Sequence, residues 1–240
     1  AILIIAALSY IKLALPNVGE PEKLTIDQSD ELVERGDYLA NHVMICMDCH
    51  SERDWTKFSG PIKPGTFGQG GESFNQELGF PGNFISPNIT PYNLSDWTDG
   101  EILRAISTGV SKNGNALFPI MPYMHYGTSD KKDLEAIIAY LRTLPSIESE
   151  NQESIADFPM NFILNTLPTE ANFTTRPNST DRLKYGEYLV NAAACYDCHT
   201  KQDKGQFIGE DYAGGMEFKL QDGSLVRSSN ITPHKISGIG

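Results

Sequence analysis

Residues 46–50 of the chain read Cys-Met-Asp-Cys-His, and residues 195–199 read Cys-Tyr-Asp-Cys-His. All four cysteines of the 240-residue sequence lie in these two motifs, which leaves none for a disulfide outside them. Two thiols one helical turn apart suit thioether bonds to the two vinyl groups on one edge of a porphyrin, and the following histidine suits the iron. The spacing therefore predicts two covalently bound haem c groups. The predicted cofactor-binding residues of the motifs are Cys46, Cys49, His50, Cys195, Cys198 and His199, with His50 and His199 as metal ligands.

Two other uses of paired cysteines fit the sequence less well. A thioredoxin-like dithiol needs a βαβ context, which the pattern of this chain lacks, and it leaves the two histidines unexplained. A four-cysteine zinc site usually has its two pairs much closer together than Cys49 and Cys195. Haem attachment is therefore the favoured interpretation.

The similarity between the two motifs extends into their surroundings. Residues 36–41 (Gly-Asp-Tyr-Leu-Ala-Asn) recur as residues 186–191 (Gly-Glu-Tyr-Leu-Val-Asn), just before each first cysteine. Downstream, residues 86–91 (Ser-Pro-Asn-Ile-Thr-Pro) recur as residues 228–233 (Ser-Ser-Asn-Ile-Thr-Pro). The repeat predicts a duplicated module, each copy with one haem.

The first copy has the pattern of a small helical fold. Oxygen-bearing residues at 25–29 precede an apolar stripe that runs into the first motif, and Thr98 with Glu101 forms a capping-box pattern. A third helix is predicted from Ser129 to Pro145. The stretch 58–93, rich in Gly, Pro and Asn, is predicted to be an ordered loop over the haem edge.

We therefore predict a mainly α protein, with two tandem class I cytochrome c modules behind an N-terminal membrane helix. The predicted parts are an anchor (1–15, partial), a linker (16–29), the first module (30–145), the connection (146–180) and the second module (181–240). The second module is expected to be incomplete, because nothing after its Asn-Ile-Thr-Pro element corresponds to residues 95–145. In the connection, apolar side chains are expected to pack against a module, and a mobile tether is the alternative. These side chains are Phe158, Phe162, Ile163, Leu164 and Phe173.

The sixth ligand of the first haem iron is predicted to be Met121. Pro119 and Pro122 stiffen the chain around this thioether, and a Met/His pair raises a haem potential relative to two histidines. Met124 and His125 are the alternatives nearby, and a role as core filler is the other alternative for both methionines. In the second module Met216, His234 and Lys235 are the local candidates, and no sixth ligand is assigned there.

Residues 1–15 are apolar except for three positions, but they are shorter than the roughly 20 residues that span a bilayer. An uncleaved membrane anchor is predicted, with Lys12 at its outer end, and a signal peptide or a partner-docking helix is the alternative. Because haem c is attached on the oxidising side of the bacterial membrane, the expected location is the inner membrane, with the modules facing the periplasm.

Charge excludes one class of partner. The formal net charge is −12, and clustered Lys and Arg for phosphate binding are missing from the sequence, so nucleic acid is not expected. Residues 30–145 sum to −6 and residues 181–240 to −1, which makes the first module the expected docking face for a basic redox protein. The acidic residues predicted to take part in docking are Asp96, Asp99 and Glu101, in contrast to Asp203 and Glu210 of the second module.

The chain resembles the cytochrome c subunits of membrane-bound gluconate and alcohol dehydrogenases, which are multihaem class I cytochromes c. The resemblance rests on residues 36–41, both Cys-x-x-Cys-His motifs, both Asn-Ile-Thr-Pro elements, Trp97-Thr98, Met121-Pro122-Tyr123, residues 134–145 and Phe158-Pro159-Met160-Asn161. It implies His/Met-ligated iron with Met121 as the ligand. Those subunits carry three haems, whereas this sequence has two motifs.

The two motifs, the N-terminal segment and the resemblance together predict a membrane-anchored dihaem cytochrome c that transfers electrons between a respiratory or dehydrogenase complex and another redox partner. The expected partners are subunits of such a complex or a terminal oxidase, together with membrane lipid at the N-terminal segment. An enzyme is the alternative: a dihaem peroxidase or a thiosulfate-type dehydrogenase would use an open site on the second haem. An assembly subunit stiffened by its haems is the least favoured hypothesis.

Overall fold

The computed structural model describes residues 2–220 and 222–240, so Ala1 of the predicted anchor and Gln221 of the second module lie outside the described residues. The described part is mainly α with some sheet, which confirms the predicted helical class. Its helices are α1 (Ile2–Ala14), α2 (Asp30–Tyr38), α3 (Cys46–Cys49), α4 (Pro91–Leu94), α5 (Asp99–Thr108), α6 (Tyr123–Tyr126), α7 (Lys131–Thr143), α8 (Met160–Ile163), α9 (Arg182–Ala192) and α10 (Cys195–His199). Its strands are β1 (Ser73–Phe74), β2 (Gly82–Ile85), β3 (Ile155–Ala156), β4 (Gln202–Asp203), β5 (Gln206–Phe207), β6 (Glu217–Lys219) and β7 (Leu225–Arg227).

Helices α2 and α7 cross closely in the core of the first module. A Cβ placed on Gly36 would lie 1.9 Å from the carbonyl oxygen of Ala136, so this crossing requires glycine. Leu39, Leu134 and Ile138 are fully buried around it. A π-helical turn, Leu39–Val43, continues α2 toward the first motif and thereby links the core to the site.

Helices α5 and α7 begin with side-chain caps. The hydroxyl of Thr98 accepts from the backbone N–H of Glu101 (3.2 Å), and the Glu101 carboxylate accepts from the backbone N–H of Thr98 (2.7 Å), which confirms the predicted capping box. Asp130 caps α7 by accepting from Lys132 N–H at 2.9 Å, which agrees with the predicted helix start near Ser129.

A small antiparallel sheet, with strand order β1-β2-β3, is formed partly by residues that were predicted to be loop. Strands β1 and β2 come from the 58–93 stretch, whereas β3 comes from the connection and pairs Ala156 with Gly82. The prediction of an ordered loop was therefore incomplete, because strands of two to four residues are too short to show alternating apolar and polar positions.

The connection wraps around the first module instead of hanging between modules. Ser149 and Asn151 both donate to the carbonyl oxygen of Gln69, at 2.8 and 3.0 Å. Further along, Thr174 N–H donates to Ser129 O at 3.1 Å. These bonds do not fit the alternative of a mobile tether.

Packing of the connection's apolar residues is mixed. Phe173 packs against the core and Leu164 lines the cavity described below, as predicted. Phe158 is 80% exposed and Ile163 is 42% exposed, so the prediction was wrong for these two. Phe162 instead lies under the ammonium group of Lys12, 4.9 Å from the ring centre.

In the second module, α9 rests on the first module. Tyr188 and Ala192 are buried there, and Ala192 belongs to the main apolar core. Gly186 of α9 corresponds to Gly36 of α2. A Cβ placed on Gly186 would have no neighbouring atom within 4 Å. The two corresponding helices thus bury different faces.

Helix α1 exposes most of its apolar side chains, including Ile2, Leu3 and Leu13. Its last turn contacts the connection, where Lys12 donates to Asn161 O at 2.6 Å. Within residues 2–220 and 222–240, none of the helices has the length and apolarity needed to cross a bilayer. The predicted N-terminal membrane helix is therefore not supported by the described part of the chain.

Candidate functional site

The first motif is held by backbone geometry on both sides. Ile45, just before Cys46, adopts a left-handed conformation with φ 44°, and this turn separates the π-helical segment from α3. The Nδ1–H of His50 donates to the carbonyl oxygen of Pro87 at 2.8 Å. Because a carbonyl can only accept, the proton sits on Nδ1 and leaves the Nε2 lone pair available for a metal.

A cavity of about 270 Å³ opens beside this motif and is lined mostly by apolar side chains. Its volume lies just below the range of roughly 300 to 1,000 Å³ that is typical of ligand pockets. Cys46, Cys49 and His50 line one side, and Met121 is also part of the lining. The structure thus brings together all the residues predicted for the first site.

Aromatic side chains form another part of the cavity wall. The rings of Phe84 and Phe118 stack with their centres 3.9 Å apart, and both residues line the cavity. Tyr126 also lines it and donates its hydroxyl to Met44 O at 2.9 Å. This tyrosine therefore ties α6 to the segment that leads into the first motif.

The ligand loop, residues 117–125, separates its candidates clearly. Met121 faces the cavity, whereas Met124 is 53% exposed and His125 bonds to residues of the second module. The identification of Met121 as the ligand remains a prediction, and this placement leaves it as the candidate with access to the cavity.

Burial dominates the electrostatics of the first motif. It raises the pKa of the Cys46 thiol to about 12 and that of Cys49 to about 11, and it lowers the pKa of His50. A neutral imidazole is the form that binds metal, so burial favours the form of His50 that the site needs.

The Asn-Ile-Thr-Pro element supports the carbonyl that orients His50. The Asn88 side-chain oxygen accepts from both the backbone N–H and the hydroxyl of Thr90, at 2.8 and 2.7 Å. The Asn88 amide donates to Ile147 O at 2.8 Å. Asn88 therefore fixes the segment that follows Pro87 and attaches the connection to it.

The second motif repeats this geometry. Ala194 is left-handed with φ 51°, and the Nδ1–H of His199 donates to the carbonyl oxygen of Ser229 at 2.8 Å. The Asn230 side chain accepts from the N–H and hydroxyl of Thr232 at 2.8 and 2.7 Å. The same bonds thus recur at corresponding positions, and they hold His199 as they hold His50.

The surroundings of the second motif are more open. Burial raises the pKa of Cys195 and Cys198, yet the Cys198 residue is exposed. Met216 donates its backbone N–H to the Ser228 hydroxyl, as Glu72 does to Ser86. Glu72 lies outside the lining of the first cavity, so the corresponding position gives no support for Met216 as a ligand.

His234 and Lys235, the other candidates of the second module, are both exposed. The His234 ring nitrogen Nδ1 contacts the backbone N–H and hydroxyl of Ser237, at 3.2 and 3.0 Å. The sixth ligand of the second iron stays unassigned.

Three residues of the two sites were not predicted from the sequence: the acceptors Pro87 and Ser229, and Tyr126. The repeated Asn-Ile-Thr-Pro elements were the available signal for the acceptors, since each acceptor directly precedes the asparagine. Tyr126 had no comparable signal, because a tyrosine between two helical segments is common in apolar cores.

The donor set of the first site fits haem c. Cys46 and Cys49 would form the thioethers, His50 Nε2 and the Met121 sulfur would bind the iron, and the apolar cavity lies between them. At the second motif Cys195, Cys198 and His199 fit the covalent bonds and one axial position.

Comparison with known proteins agrees with this chemistry. The chain is 28% identical over 209 residues to the cytochrome c subunit of the quinone-type alcohol dehydrogenase of Gluconacetobacter polyoxogenes, covering 81% of this chain and 41% of that protein. It is 29% identical over 191 residues to the gluconate 2-dehydrogenase cytochrome c subunit of Pantoea cypripedii, covering 74% and 40%. It is also 26% identical over 206 residues to a diheme cytochrome c-type protein of Cereibacter sphaeroides, covering 80% and 64%.

The homologues of this chain are thus cytochrome c subunits of dehydrogenases and a diheme cytochrome c, which confirms the resemblance stated from the motifs. They imply covalently bound haem c and support electron transfer. The chain spans about two-fifths of the length of the first two relatives. No protein-family model matches the chain.

Proposed function

We propose that the chain is an electron-transfer cytochrome with two haem c groups, one on each of two tandem class I cytochrome c modules. The observation that carries this proposal is the recurrence of one hydrogen bond: His50 to Pro87 O and His199 to Ser229 O, both 2.8 Å. A histidine held in this tautomer directly after a Cys-x-x-Cys pair is what axial ligation requires.

Bound haem c supplies an iron centre that accepts and donates one electron, with a potential set by axial ligands, hydrogen bonds and burial. In the first module, His50 and Met121 would bind the iron, and apolar side chains such as Phe84 and Phe118 would limit the access of water to it. A rigid, dry site changes little between two charge states, which favours fast transfer over bond chemistry.

The relatives support a role beside a dehydrogenase. Two of them are cytochrome c subunits, so we propose that the present chain is likewise a non-catalytic electron carrier that exchanges electrons with separate redox subunits, or with a terminal oxidase.

We further propose that the chain works at the periplasmic face of a bacterial inner membrane. The Cys-x-x-Cys-His chemistry supports the oxidising side, and the exposed apolar residues of α1 support contact with lipid. Association with membranes should therefore resist salt washing and depend on α1. A chain that stays in the soluble fraction with α1 intact would contradict this part of the proposal.

A reductive titration tests electron transfer against the enzyme hypothesis. The holoprotein should take up two electrons per chain, reversibly, and should pass them to an oxidised acceptor without consuming peroxide or thiosulfate. Steady turnover of hydrogen peroxide or thiosulfate would instead support the dihaem enzyme, in which the second site is open.

A further inference from the structure

His125 belongs to the ligand loop of the first site, yet its ring bonds to the second module. Its Nδ1 lies 3.0 Å from the side-chain oxygen of Asn191 on α9. Its Nε2 lies 3.0 Å from a carboxylate oxygen of Asp197, which sits between Cys195 and Cys198 of the second motif. One side chain therefore joins the predicted ligand segment of the first haem to the attachment segment of the second.

The chemistry of this contact is that of a charged bridge. The Asn191 amide donates to the Thr128 hydroxyl at 3.1 Å, which turns the Asn191 oxygen toward His125. Both ring nitrogens then face acceptors, and imidazole can donate from both only when it is protonated. The hydrogen bond to Asp197 is the main cause of the raised pKa of His125, which agrees with a charge-assisted bond.

Other contacts show that α9 packs against the first module at this point. Tyr188 of α9 donates its hydroxyl to the buried Asp133 of α7 at 2.6 Å. Ala192 of α9 is fully buried in the main apolar core. The junction is therefore packed, and His125 connects it to the second attachment motif.

We propose that His125 is a positioning residue that holds the second attachment motif on the ligand loop of the first site, and thereby sets the rate of electron exchange between the two haems. The proposal rests on the proposed dihaem function. The rate of electron exchange falls as the distance between donor and acceptor grows, so a displaced second motif slows the exchange.

Three substitutions of one residue separate the two bonds. His125→Gln places an amide where Nε2 was and keeps the bond to Asp197, whereas His125→Asn places its amide near the Nδ1 position and keeps the bond to Asn191. His125→Leu keeps neither. Met124→Leu, at the exposed neighbouring position, is the matched control.

The experiment is flash photoreduction of the two-haem protein, followed by the absorbance change as electrons redistribute. His125→Leu and His125→Asn should slow the redistribution severalfold, while His125→Gln and Met124→Leu should keep most of the wild-type rate. Hydrogen exchange in α9 should rise in the Leu variant. The far-red methionine–iron band should persist in all variants, since Met121 is untouched.

An unchanged rate in His125→Leu, or equal losses in the Gln and Asn variants, would overturn the positioning role. Haem content distinguishes that failure from failure of the proposed function. A wild-type protein with a single haem would remove the dihaem function itself, whereas two haems with an insensitive rate would remove only the role of His125.

Discussion

The two modules share their motif geometry and differ in what surrounds it. In the first, α2 crosses α7 at Gly36, and the cavity is closed by α5, α6 and the connection. In the second, the corresponding Gly186 faces open space and Cys198 is exposed. The segment from the cysteines to Asn-Ile-Thr-Pro therefore forms the same hydrogen bonds in both modules. Burial of the site depends on helices and loops outside that segment.

The second module has instead a shared support. Asp133 of α7 is 1% exposed and accepts from Arg35 at 2.7 Å, from Tyr188 at 2.6 Å and from Arg176. These three partners come from α2, α9 and the connection. One buried carboxylate therefore ties the first module, the connection and the second module together.

Removal of the Asp133 carboxylate should have the largest effect, because it disrupts the contacts between the two modules. Asp133→Ala leaves two guanidinium groups without their partner and should lower the free energy of unfolding by about 3 kcal/mol. Denaturant unfolding of the holoprotein measures this, and hydrogen exchange should report earlier opening of α9 than of α2.

Asp96→Ala is the control for Asp133→Ala. The Asp96 carboxylate is exposed and pairs with Lys112 at 3.0 Å, so its loss should change stability little. Equal destabilisation by both variants would show that Asp133 has no special place in the junction.

Substitution of the two corresponding glycines tests whether α2 and α9 differ in their surroundings. Gly36→Ala puts a methyl group against the backbone of Ala136 and should destabilise the protein by about 1 to 3 kcal/mol. Gly186→Ala meets no atom within 4 Å and should stabilise α9 by up to about 1 kcal/mol, since alanine is the better helix former. Thermal unfolding should therefore move in opposite directions. Shifts of the same sign and size would mean that the two helices have equivalent surroundings.

The ligand loop is present in the first module, so its loss should affect one haem. Met121→Ala should abolish the weak far-red absorption of the methionine-bound ferric iron and lower the potential of one haem. Met124→Ala should leave both unchanged, because Met124 is 53% exposed. Loss of the band in Met124→Ala instead would move the ligand by three residues.

Charge changes on the predicted docking face should have the smallest effect of these substitutions. Two of the predicted acidic residues already have partners within the protein. Asp99 pairs with Arg142 at 2.8 Å, and Glu101 belongs to the capping box, so neither is free for a partner. Glu148, Glu150 and Glu153 of the connection are exposed.

Reversing these three charges to lysine should weaken the salt dependence of electron transfer to a small basic cytochrome, because screening at physiological salt acts over roughly 8 Å. The same reversal at Asp203 and Glu210, which are exposed in the second module, should leave the salt dependence unchanged. Stopped-flow rates across a salt series give the result, and equal effects of both sets would remove the docking assignment.

Local signals carried most of what the sequence could predict. Helix α5 followed from Thr98 and Glu101, and the attachment residues followed from their spacing, because both patterns arise within a few positions of the chain. The prolines around Met121 favoured it over Met124, and its role as a ligand remains a prediction.

Contacts between distant segments could not be predicted in this way. The third strand comes from the connection and pairs with Gly82, yet a two-residue strand has no periodicity. The bond between His125 and Asp197 joins residues 72 positions apart, and neither residue type indicates in the sequence which partner it contacts. Exposure of Phe158 also escaped prediction, since apolar character alone does not fix which residues of a wrapped segment face inward.

We propose that each module binds one haem through thioether bonds. The direct measurement is the pyridine haemochrome of the denatured, acid–acetone-washed chain, compared with its protein concentration. The account predicts two covalent haems per chain in the wild type and one in Cys195→Ser/Cys198→Ser, with the far-red band of the first site retained. One haem in the wild type, or haem that the solvent extracts, would contradict it.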